Sequence, residues 1–208
     1  MNLIVLGATG ATGRMLVGRA LERGHRVTAF ARHPEKLALE HPELRRVQGD
    51  VLAPDSLARA IPGHDAVLLC VGSADRKAPT LRTDAARHTV AAMTAAGVRR
   101  LIAMSGLGAG ITRKNMGFVF DRVIAPTTLR GLLADQNGLE AAVRMSGLDW
   151  ILVRPGRMTE SAPQDAQPAI SLDGSGVTNS VSREDVVKFM LDQLESDDYL
   201  RKPAAIGY

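Results

Sequence analysis

The fold is decided near the start of the chain, where residues 2–13 read NLIVLGATGATG. A short apolar run ends at Leu6 and leads directly into a loop of small residues, and an amphipathic stretch follows that loop. Small residues between a strand and a helix let the backbone approach a pyrophosphate, whose charge is stabilised by free N–H groups and by the positive end of the helix. The stretch therefore predicts a phosphate-binding turn.

The glycines of this turn are spaced Gly-x-x-Gly-x-x-Gly, which is wider than the spacing in the simplest dinucleotide-binding turns. A lone glycine motif is also compatible with a tight turn that binds no ligand. The strand before the turn and the helix after it favour binding. We expect the phosphates of a cofactor to contact Gly7, Thr9, Gly10, Ala11, Thr12 and Gly13.

Short apolar runs alternate with longer amphipathic stretches along most of the chain. The runs predict strands over Asn2–Leu6, Arg26–Phe30, Leu44–Val47, Ala66–Val71, Arg100–Met104 and Trp150–Val153. The stretches between them predict helices over Thr12–Arg23, Ser56–Ile61, Thr80–Ala96 and Gly131–Met145, with Gly24, Gly63, Gly97 and Gly147 at their ends. This order predicts an α/β fold of the Rossmann type, in which a doubly wound parallel sheet lies between two helical layers as one domain over residues 1–208.

The alternation is lost in two segments, residues 106–130 and 160–181, which are rich in Gly, Pro, Ser and Thr. Long irregular stretches on a regular scaffold are either substrate loops or poorly ordered insertions. Segment 106–130 leaves the fifth predicted strand at its carboxyl end, where open α/β sheets bind their ligands. We therefore expect it to border a substrate.

The residues after the second and third strands indicate which cofactor binds. A cofactor with a free 2′-hydroxyl is usually held by an acidic residue about 20 positions past the glycine turn. Arg32 occupies that region instead, and its guanidinium suits a 2′-phosphate, although an exposed loop arginine is the alternative. Asp50 follows the third strand, where it either contacts adenine or caps the next helix.

Composition excludes several other classes of function. The 208 residues are 45% hydrophobic and 23% charged, as in ordinary globular domains, and only 3% are aromatic, which disfavours binding of single-stranded nucleic acid despite the net charge of +4. Cys70 is the only cysteine, and the histidines have no metal-ligand spacing, so we expect no disulfide and no bound metal. The first apolar run is too short for a membrane span or a signal peptide, and we expect a cytoplasmic protein.

A set of motifs spread over the whole chain carries a family resemblance. The motifs are Gly7–Gly13 with Arg32, Gly49-Asp50-Val51, Val71-Gly72-Ser73, Gly97-Val98, Ser146-Gly147-Leu148 and Arg154-Pro155-Gly156. Together they resemble the atypical short-chain dehydrogenase/reductase superfamily of NAD(P)H-binding, NmrA-like proteins. Within it the chain is most similar to the branch of biliverdin reductase B and flavin reductase.

This resemblance implies an NADP(H) cofactor and assigns roles along it. The glycine turn holds the pyrophosphate, Arg32 binds the 2′-phosphate, and Asp50 and Val51 contact adenine. Gly72 and Ser73 lie along the ribose and phosphates, while Met104, Ser105 and Pro155 bracket the nicotinamide. The chain departs from the branch at Gly106, where the branch has a second hydroxyl residue, and at Gly156, where it tends to have histidine; both departures concern the substrate.

The tyrosines limit the available chemistry. Short-chain dehydrogenases typically protonate a carbonyl with a Tyr whose acidity is raised by a Lys four residues later. Here Tyr199 is followed at that distance by Pro203, and Tyr208 ends the sequence. A conjugated acceptor such as a flavin, quinone or tetrapyrrole spreads the charge over its rings, so its reduction needs positioning more than an acid.

The sequence therefore predicts an NADPH-dependent reductase of a small aromatic or conjugated molecule, acting as a monomer or weak homodimer. Ser105 is the candidate catalytic residue, as a hydrogen-bond donor to the substrate or carboxamide, with turn capping as the alternative. Glu140 is expected on a solvated helix face, and Ser182 is expected to cap the last helix together with Asp185. The alternative function is an NADP(H)-binding sensor that binds a protein partner and has little turnover.

Overall fold

The structure, a computed structural model, describes residues 1–72, 79–118, 120–163 and 166–208. Its strands are β1 (Asn2–Leu6), β2 (Arg26–Ala31), β3 (Leu44–Gln48), β4 (Ala66–Leu69), β5 (Arg100–Met104), β6 (Asp149–Pro155), β7 (Arg157–Thr159), β8 (Ala169–Ser171), β9 (Ser180–Ser182) and β10 (Pro203–Gly207). Its α-helices are α1 (Ala11–Glu22), α2 (Pro54–Ala60), α3 (Leu81–Ala96), α4 (Arg130–Arg144) and α5 (Arg183–Asp192).

Eight of the strands form one sheet in the order β3-β2-β1-β4-β5-β6-β10-β8, and β7 pairs separately with β9. Neighbouring strands of the sheet are parallel except for β8, which runs antiparallel to β10. The predicted α/β fold of the Rossmann type is confirmed. The strand order reverses between β1 and β4, and such a switch point opens a crevice at the carboxyl ends of the strands.

Both faces of the sheet are buried, as continuous apolar strands predict. Along β1, Leu3 and Val5 belong to the core beneath α1 and α5, whereas Ile4 and Leu6 belong to the core beneath α2, α3 and α4. All four side chains are fully buried. Each of them stabilises the fold by about 1.5–3 kcal/mol relative to exposure.

Two of the helix starts are capped by side chains. Ser182 Oγ accepts a hydrogen bond from the Asp185 N–H over 3.0 Å, which confirms the predicted cap of α5. The start of α3 is capped from another helix, because Asp135 of α4 accepts hydrogen bonds from the backbone N–H groups of Arg82 and Thr83. This cap fixes α4 against α3 beside the carboxyl end of the sheet.

The two segments expected to be irregular contain regular structure. Segment 106–130 includes a 3₁₀ helix over Gly110–Met116 and a π-helix over Phe120–Ile124. Segment 160–181 includes β8 and the beginning of β9. The Gly, Pro and Ser content of these segments gives no strand signal, and β8 and β9 form because they pair with the distant strands β10 and β7.

Within the described ranges, no helix combines the length and the apolar character that crossing a bilayer requires.

Candidate functional site

A cleft of ≈ 350 Å³ opens at the switch point, beside the carboxyl ends of β1, β2 and β4. It is lined by seven of the residues predicted from the sequence to bind a cofactor, namely Gly7, Thr9, Gly10, Arg32, Asp50, Val51 and Gly72. Ser73, for which the same role was predicted, lies outside the described residues. The cleft therefore has the position and the lining that the glycine turn predicts.

The turn after β1 presents free backbone donors. Gly7 and Ala8 donate to the Phe30 carbonyl of β2, and Gly10 N–H donates to the Gly7 carbonyl over 3.1 Å. Gly10 is the N-cap of α1, and no side chain of the described residues caps that helix end. The first N–H groups of a helix lack partners within it, so those of Ala11, Thr12 and Gly13 are available to an anion.

Glycine is needed at each of the three positions of the turn for a different structural reason. A side chain on Gly13 would place its Cβ 2.2 Å from the Gly7 carbonyl oxygen, so this glycine lets α1 pack on the turn. Gly7 has φ +88°, and its Cβ would lie 2.7 Å from the Cys70 carbonyl oxygen. A Cβ on Gly10 would meet only the Gly7 oxygen, at 3.4 Å, so the space beside Gly10 is open toward the cleft.

The far side of the cleft carries Arg32 and Asp50. Arg32 directly follows β2 and is exposed, and its guanidinium has no hydrogen-bond or ion-pair partner among the residues that the structure describes. Asp50 Oδ1 accepts a hydrogen bond from the Leu52 N–H over 3.0 Å, and the N-cap of α2 is Ala53. The alternative in which Asp50 caps α2 is therefore wrong, since Asp50 forms a turn before the helix.

A second group of polar residues lies at the carboxyl ends of β5 and β6. Ser105 Oγ donates to Glu140 Oε1 over 2.8 Å, and Arg154 donates to both oxygens of Glu140, from Nε over 2.7 Å and from Nη2 over 2.5 Å. All three residues are buried. The expectation that Glu140 occupies a solvated helix face is wrong, because its helix turns this carboxylate toward the sheet.

The strand ends hold the predicted nicotinamide-end residues side by side. Met104 is opposite Val153 in the β5–β6 register, Ser105 N–H donates to the Val153 carbonyl over 2.8 Å, and Leu107 N–H donates to the Pro155 carbonyl over 2.8 Å. Met104, Ser105 and Pro155 are thus brought together, although they do not line the cleft described above. The Ser105 hydroxyl bonds to Glu140 and does not cap the turn.

The chain differs from the branch that it resembles at Gly156 and Gly106, and the surroundings of these two residues differ. A Cβ on Gly156 would lie 2.8 Å from the backbone of Asn179 and Ser180, so a histidine there would require this backbone to move. A Cβ on Gly106 would lie 2.3 Å from Gln136 Nε2. Backbone atoms therefore require glycine at position 156, whereas a side chain at position 106 would displace only the end of the Gln136 side chain.

The sequence reasoning missed one contact to the glycine turn. Arg183 Nη1 donates to Thr12 Oγ1 over 3.0 Å, and Thr12 Oγ1 itself donates to Met158 Sδ over 3.6 Å. Arg183 is the first residue of α5. No local signal reveals the contact, because it depends on α5 packing beside α1.

Cys70 lines the cleft, but burial raises the pKa of its thiol well above the ordinary range. A thiol in this state is neutral and is a poor nucleophile or ligand. In the described ranges, no group of three or more His, Cys, Asp or Glu side chains is arranged to hold a metal ion.

The chain matches one family model and is similar to a reductase of known name. Residues 7–197 match the model of a family described as NAD(P)H-binding. A (4-alkanoyl-5-oxo-2,5-dihydrofuran-3-yl)methyl phosphate reductase from Streptomyces griseus is 35% identical over 153 residues, which cover 74% of this chain and 46% of the relative. The chain thus spans less than half the length of that relative.

Two solved structures share the fold. A short-chain dehydrogenase/reductase from Veillonella parvula in complex with NADP has a TM-score of 0.81 at 20% identity, covering 100% of this chain and 94% of the other. ChuY, an anaerobilin reductase from Escherichia coli O157:H7, has a TM-score of 0.82 at 20% identity, covering 100% and 97%. At these identities the likeness concerns the fold alone.

Proposed function

The chain belongs to the NAD(P)H-binding family, and from this premise we propose that it is an NADPH-dependent reductase that transfers hydride to a flavin, a quinone or another conjugated ring. The observation that carries the proposal is one cleft that contains both the open glycine turn and the Arg32 guanidinium, which has no partner among the described residues. The family's cofactor fits this cleft, since the space beside Gly10 is open and, in the part of the chain that the structure describes, no side chain caps the start of α1. When bound, the cofactor supplies hydride from its nicotinamide ring.

In this proposal the cleft residues bind the adenine half of the cofactor. The N–H groups of Ala11, Thr12 and Gly13 bind the pyrophosphate, and the Arg32 guanidinium binds the 2′-phosphate as a bidentate donor. Asp50 and Val51 contact adenine, and Gly72 contacts the ribose, a role that the resemblance also implies for Ser73. These roles follow from the family resemblance. The lining of the cleft supports those of Arg32, Asp50, Val51 and Gly72, whereas Ala11, Thr12 and Gly13 begin α1 and do not line it.

The nicotinamide end and the substrate are assigned to the carboxyl ends of β5 and β6. Met104, Ser105 and Pro155 bracket the nicotinamide, with Ser105 as the candidate catalytic residue. Segment 106–130 leads away from this point and exposes apolar side chains, including Phe118, which is 77% exposed. An apolar flank of this kind suits a flat aromatic acceptor.

The positions of the two tyrosines are consistent with such an acceptor. Tyr208 Oη donates to Asp185 Oδ2 over 2.7 Å and accepts from the Ser182 N–H over 2.9 Å, and Tyr199 packs edge-on against Phe189. Neither tyrosine lines the cleft. Water then supplies the proton to a ring system in which charge is already delocalised.

Stopped-flow measurement of NADPH oxidation with flavin, quinone and tetrapyrrole acceptors tests the proposal. We expect oxidation with at least one acceptor and none in the Gly10→Val variant, which blocks the turn.

Limited trypsin digestion at Lys114 and Arg122, both exposed, tests the substrate segment, and we expect NADPH plus acceptor to protect it beyond NADPH alone. Unchanged cleavage would place the acceptor elsewhere.

A second candidate is an NADP(H)-binding sensor that binds a protein partner. The missing Tyr-x-x-x-Lys pair favours it, because a protein without turnover needs no proton donor. Tight NADPH binding without oxidation of any acceptor would support this candidate and exclude the first.

We also propose that the protein is cytoplasmic and is a monomer or weak homodimer. A lone cysteine suits a reducing compartment. Cell fractionation and sedimentation at several protein concentrations test these two points, and a dimer that persists on dilution would exclude the monomer.

A further inference from the structure

We infer that the buried Glu140–Arg154 ion pair fixes the Ser105 hydroxyl as a hydrogen-bond acceptor, so that the end of β5 selects an amide-type N–H of a planar ring rather than a carbonyl oxygen. The inference rests on the proposed reductase function for the identity of the rings. Ser105 then accepts a hydrogen bond from the ligand, whereas the sequence suggested that it donates one to the substrate. Glu140 and Arg154 are positioning residues, because they act through Ser105.

The polarity follows from counting hydrogens. A serine hydroxyl has one hydrogen to donate and two lone pairs to accept with. Ser105 donates its hydrogen to Glu140 Oε1 over 2.8 Å, and a carboxylate with Arg154 donating to both of its oxygens has no hydrogen to return. A ligand at Ser105 therefore meets lone pairs alone.

Stability alone does not account for this arrangement. Glu140 is 4% exposed and Arg154 1%, and buried ion pairs are commonly no more stable than apolar residues of the same volume. In addition, Arg154 Nη1 is buried without a partner among the described residues, which adds a cost. A purely structural contact would be better served by apolar side chains.

The loop that follows β5 is shaped around the same group. A Cβ on Gly110 would lie 2.6 Å from Arg154 Nη2 and 3.6 Å from Glu140 Oε2. Glycine at this position lets the loop pack against the ion pair, both members of which are buried. A dry environment strengthens the hydrogen bond that holds the Ser105 hydrogen.

Ser105 occupies the edge of the sheet at which the cleft opens. It follows β5, whose register with β4 pairs Ala103 with Leu69, and Val71 lies two residues past Leu69 and lines the cleft. Two rings meet at this edge in the proposed reaction. The nicotinamide carries a carboxamide N–H, and an isoalloxazine or a tetrapyrrole carries ring N–H groups, whereas a quinone offers carbonyl oxygens alone.

The first arm of the test varies the acceptor. We compare kcat/KM for a flavin and for its N3-methyl derivative in the wild type, Ser105→Ala and Glu140→Gln. We expect the wild type to prefer the N–H compound by about three- to tenfold, as one hydrogen bond implies, and both variants to bring this ratio toward one. Asp135→Asn is the matched control, because Asp135 is a buried acid on the same helix as Glu140 but caps α3 instead of contacting Ser105. We expect this variant to have a lower melting temperature and an unchanged ratio of kcat/KM values.

The second arm varies the cofactor and requires no turnover. We titrate NADPH and its 3-acetylpyridine analogue, which lacks the amide N–H, against the same variants. If the variants change the ratio of the two cofactor affinities but not the kcat/KM ratio of the two flavins, the N–H group that Ser105 accepts from belongs to the cofactor. Wild-type ratios in both arms for Ser105→Ala overturn the inference, and this variant decides the matter if Glu140→Gln does not fold. Failure of every acceptor to oxidise NADPH overturns the proposed function, and the titration then still tests the inference.

Discussion

Arg183 Nη1 donates a hydrogen bond over 3.0 Å to Thr12 Oγ1, although the two residues are 171 positions apart in the chain. Thr12 lies in the glycine turn and Arg183 begins α5, so the contact joins α1 and α5 beside the cleft. The Arg183 side chain is 13% exposed, whereas its ion-pair partner Glu160 is 86% exposed. The buried end of this arginine therefore matters more for stability than the exposed ion pair.

Arg183→Met should destabilise the protein by about 1 kcal/mol, because Thr12 then lacks its buried donor. In a chain of this size that lowers the melting temperature by about 2–4 °C, which calorimetry measures. Glu160→Gln is the control, and it should shift the melting temperature very little, since exposed ion pairs contribute little. Equal losses in both variants would assign the stability to the ion pair instead.

Gly10→Val should abolish cofactor binding and leave the fold intact, because its side chain projects into open space that the pyrophosphate needs. Gly13→Ala, by contrast, should lower the free energy of unfolding by about 1–3 kcal/mol, because its Cβ would lie 2.2 Å from the Gly7 carbonyl oxygen. Thermal melts with and without NADPH measure both effects. A Gly10→Val protein that NADPH still stabilises would show that the turn does not bind the cofactor.

Much of the sheet follows from local patterns. The run over Leu3–Leu6 is apolar at each position, which suits a strand buried on both faces, and β1 and β5 have the predicted bounds. β10 could not be found in this way, because its sequence PAAIG contains proline and alanine, which disfavour strands. It is a strand because β6 and β8 pair with it on either side.

The candidate site likewise has a part that local sequence predicts and a part that depends on long-range contacts. The glycine turn was predictable because its chemistry lies within seven consecutive residues, Gly7–Gly13. Glu140 was misassigned because burial of a carboxylate depends on its partner, and Arg154 reaches it only after the chain has passed from α4 to β6. Long-range polar contacts leave no period in the sequence.

Cys70 should make the native state sensitive to alkaline pH. Burial raises the pKa of its thiol, so the native protein keeps the proton while the unfolded chain loses it above a pH of about 8.5. This contribution to stability is complete below that pH and falls by about 1.4 kcal/mol per pH unit above it. The difference in unfolding free energy between wild type and Cys70→Ala should therefore change by about 2 kcal/mol between pH 7.5 and 10 in urea titrations, and a constant difference would contradict the prediction.

Arg32 should select the phosphorylated cofactor. We expect NADPH to bind at least about tenfold more tightly than NADH, which corresponds to about 1.4 kcal/mol from the bidentate contact. Calorimetric titration of both cofactors against wild type and Arg32→Ala measures the preference. Arg45→Ala is the control, because Arg45 is an exposed arginine at the start of β3, at the opposite end of the strands. Equal affinities in the wild type would leave Arg32 as an ordinary surface residue.

The two tyrosines should be dispensable for turnover and unequal for stability. Tyr208 Oη bonds to Asp185 and to the Ser182 N–H at the start of α5, so Tyr208→Phe should cost about 1–2 kcal/mol of unfolding free energy. Tyr199 contacts Phe189 through its ring, which Tyr199→Phe preserves. This second variant is therefore the matched control for stability.

In both variants the rate of NADPH oxidation should stay within about twofold of wild type, because a conjugated acceptor needs no acid from the protein. Loss of a general acid typically lowers the rate by about 10²–10⁴-fold, so the two outcomes are well separated. Stopped-flow oxidation at a temperature below both melting transitions measures the rate without interference from unfolding. A hundredfold loss in either variant would identify that tyrosine as the proton donor and replace the acid-free mechanism with one in which the C-terminal segment reaches the substrate.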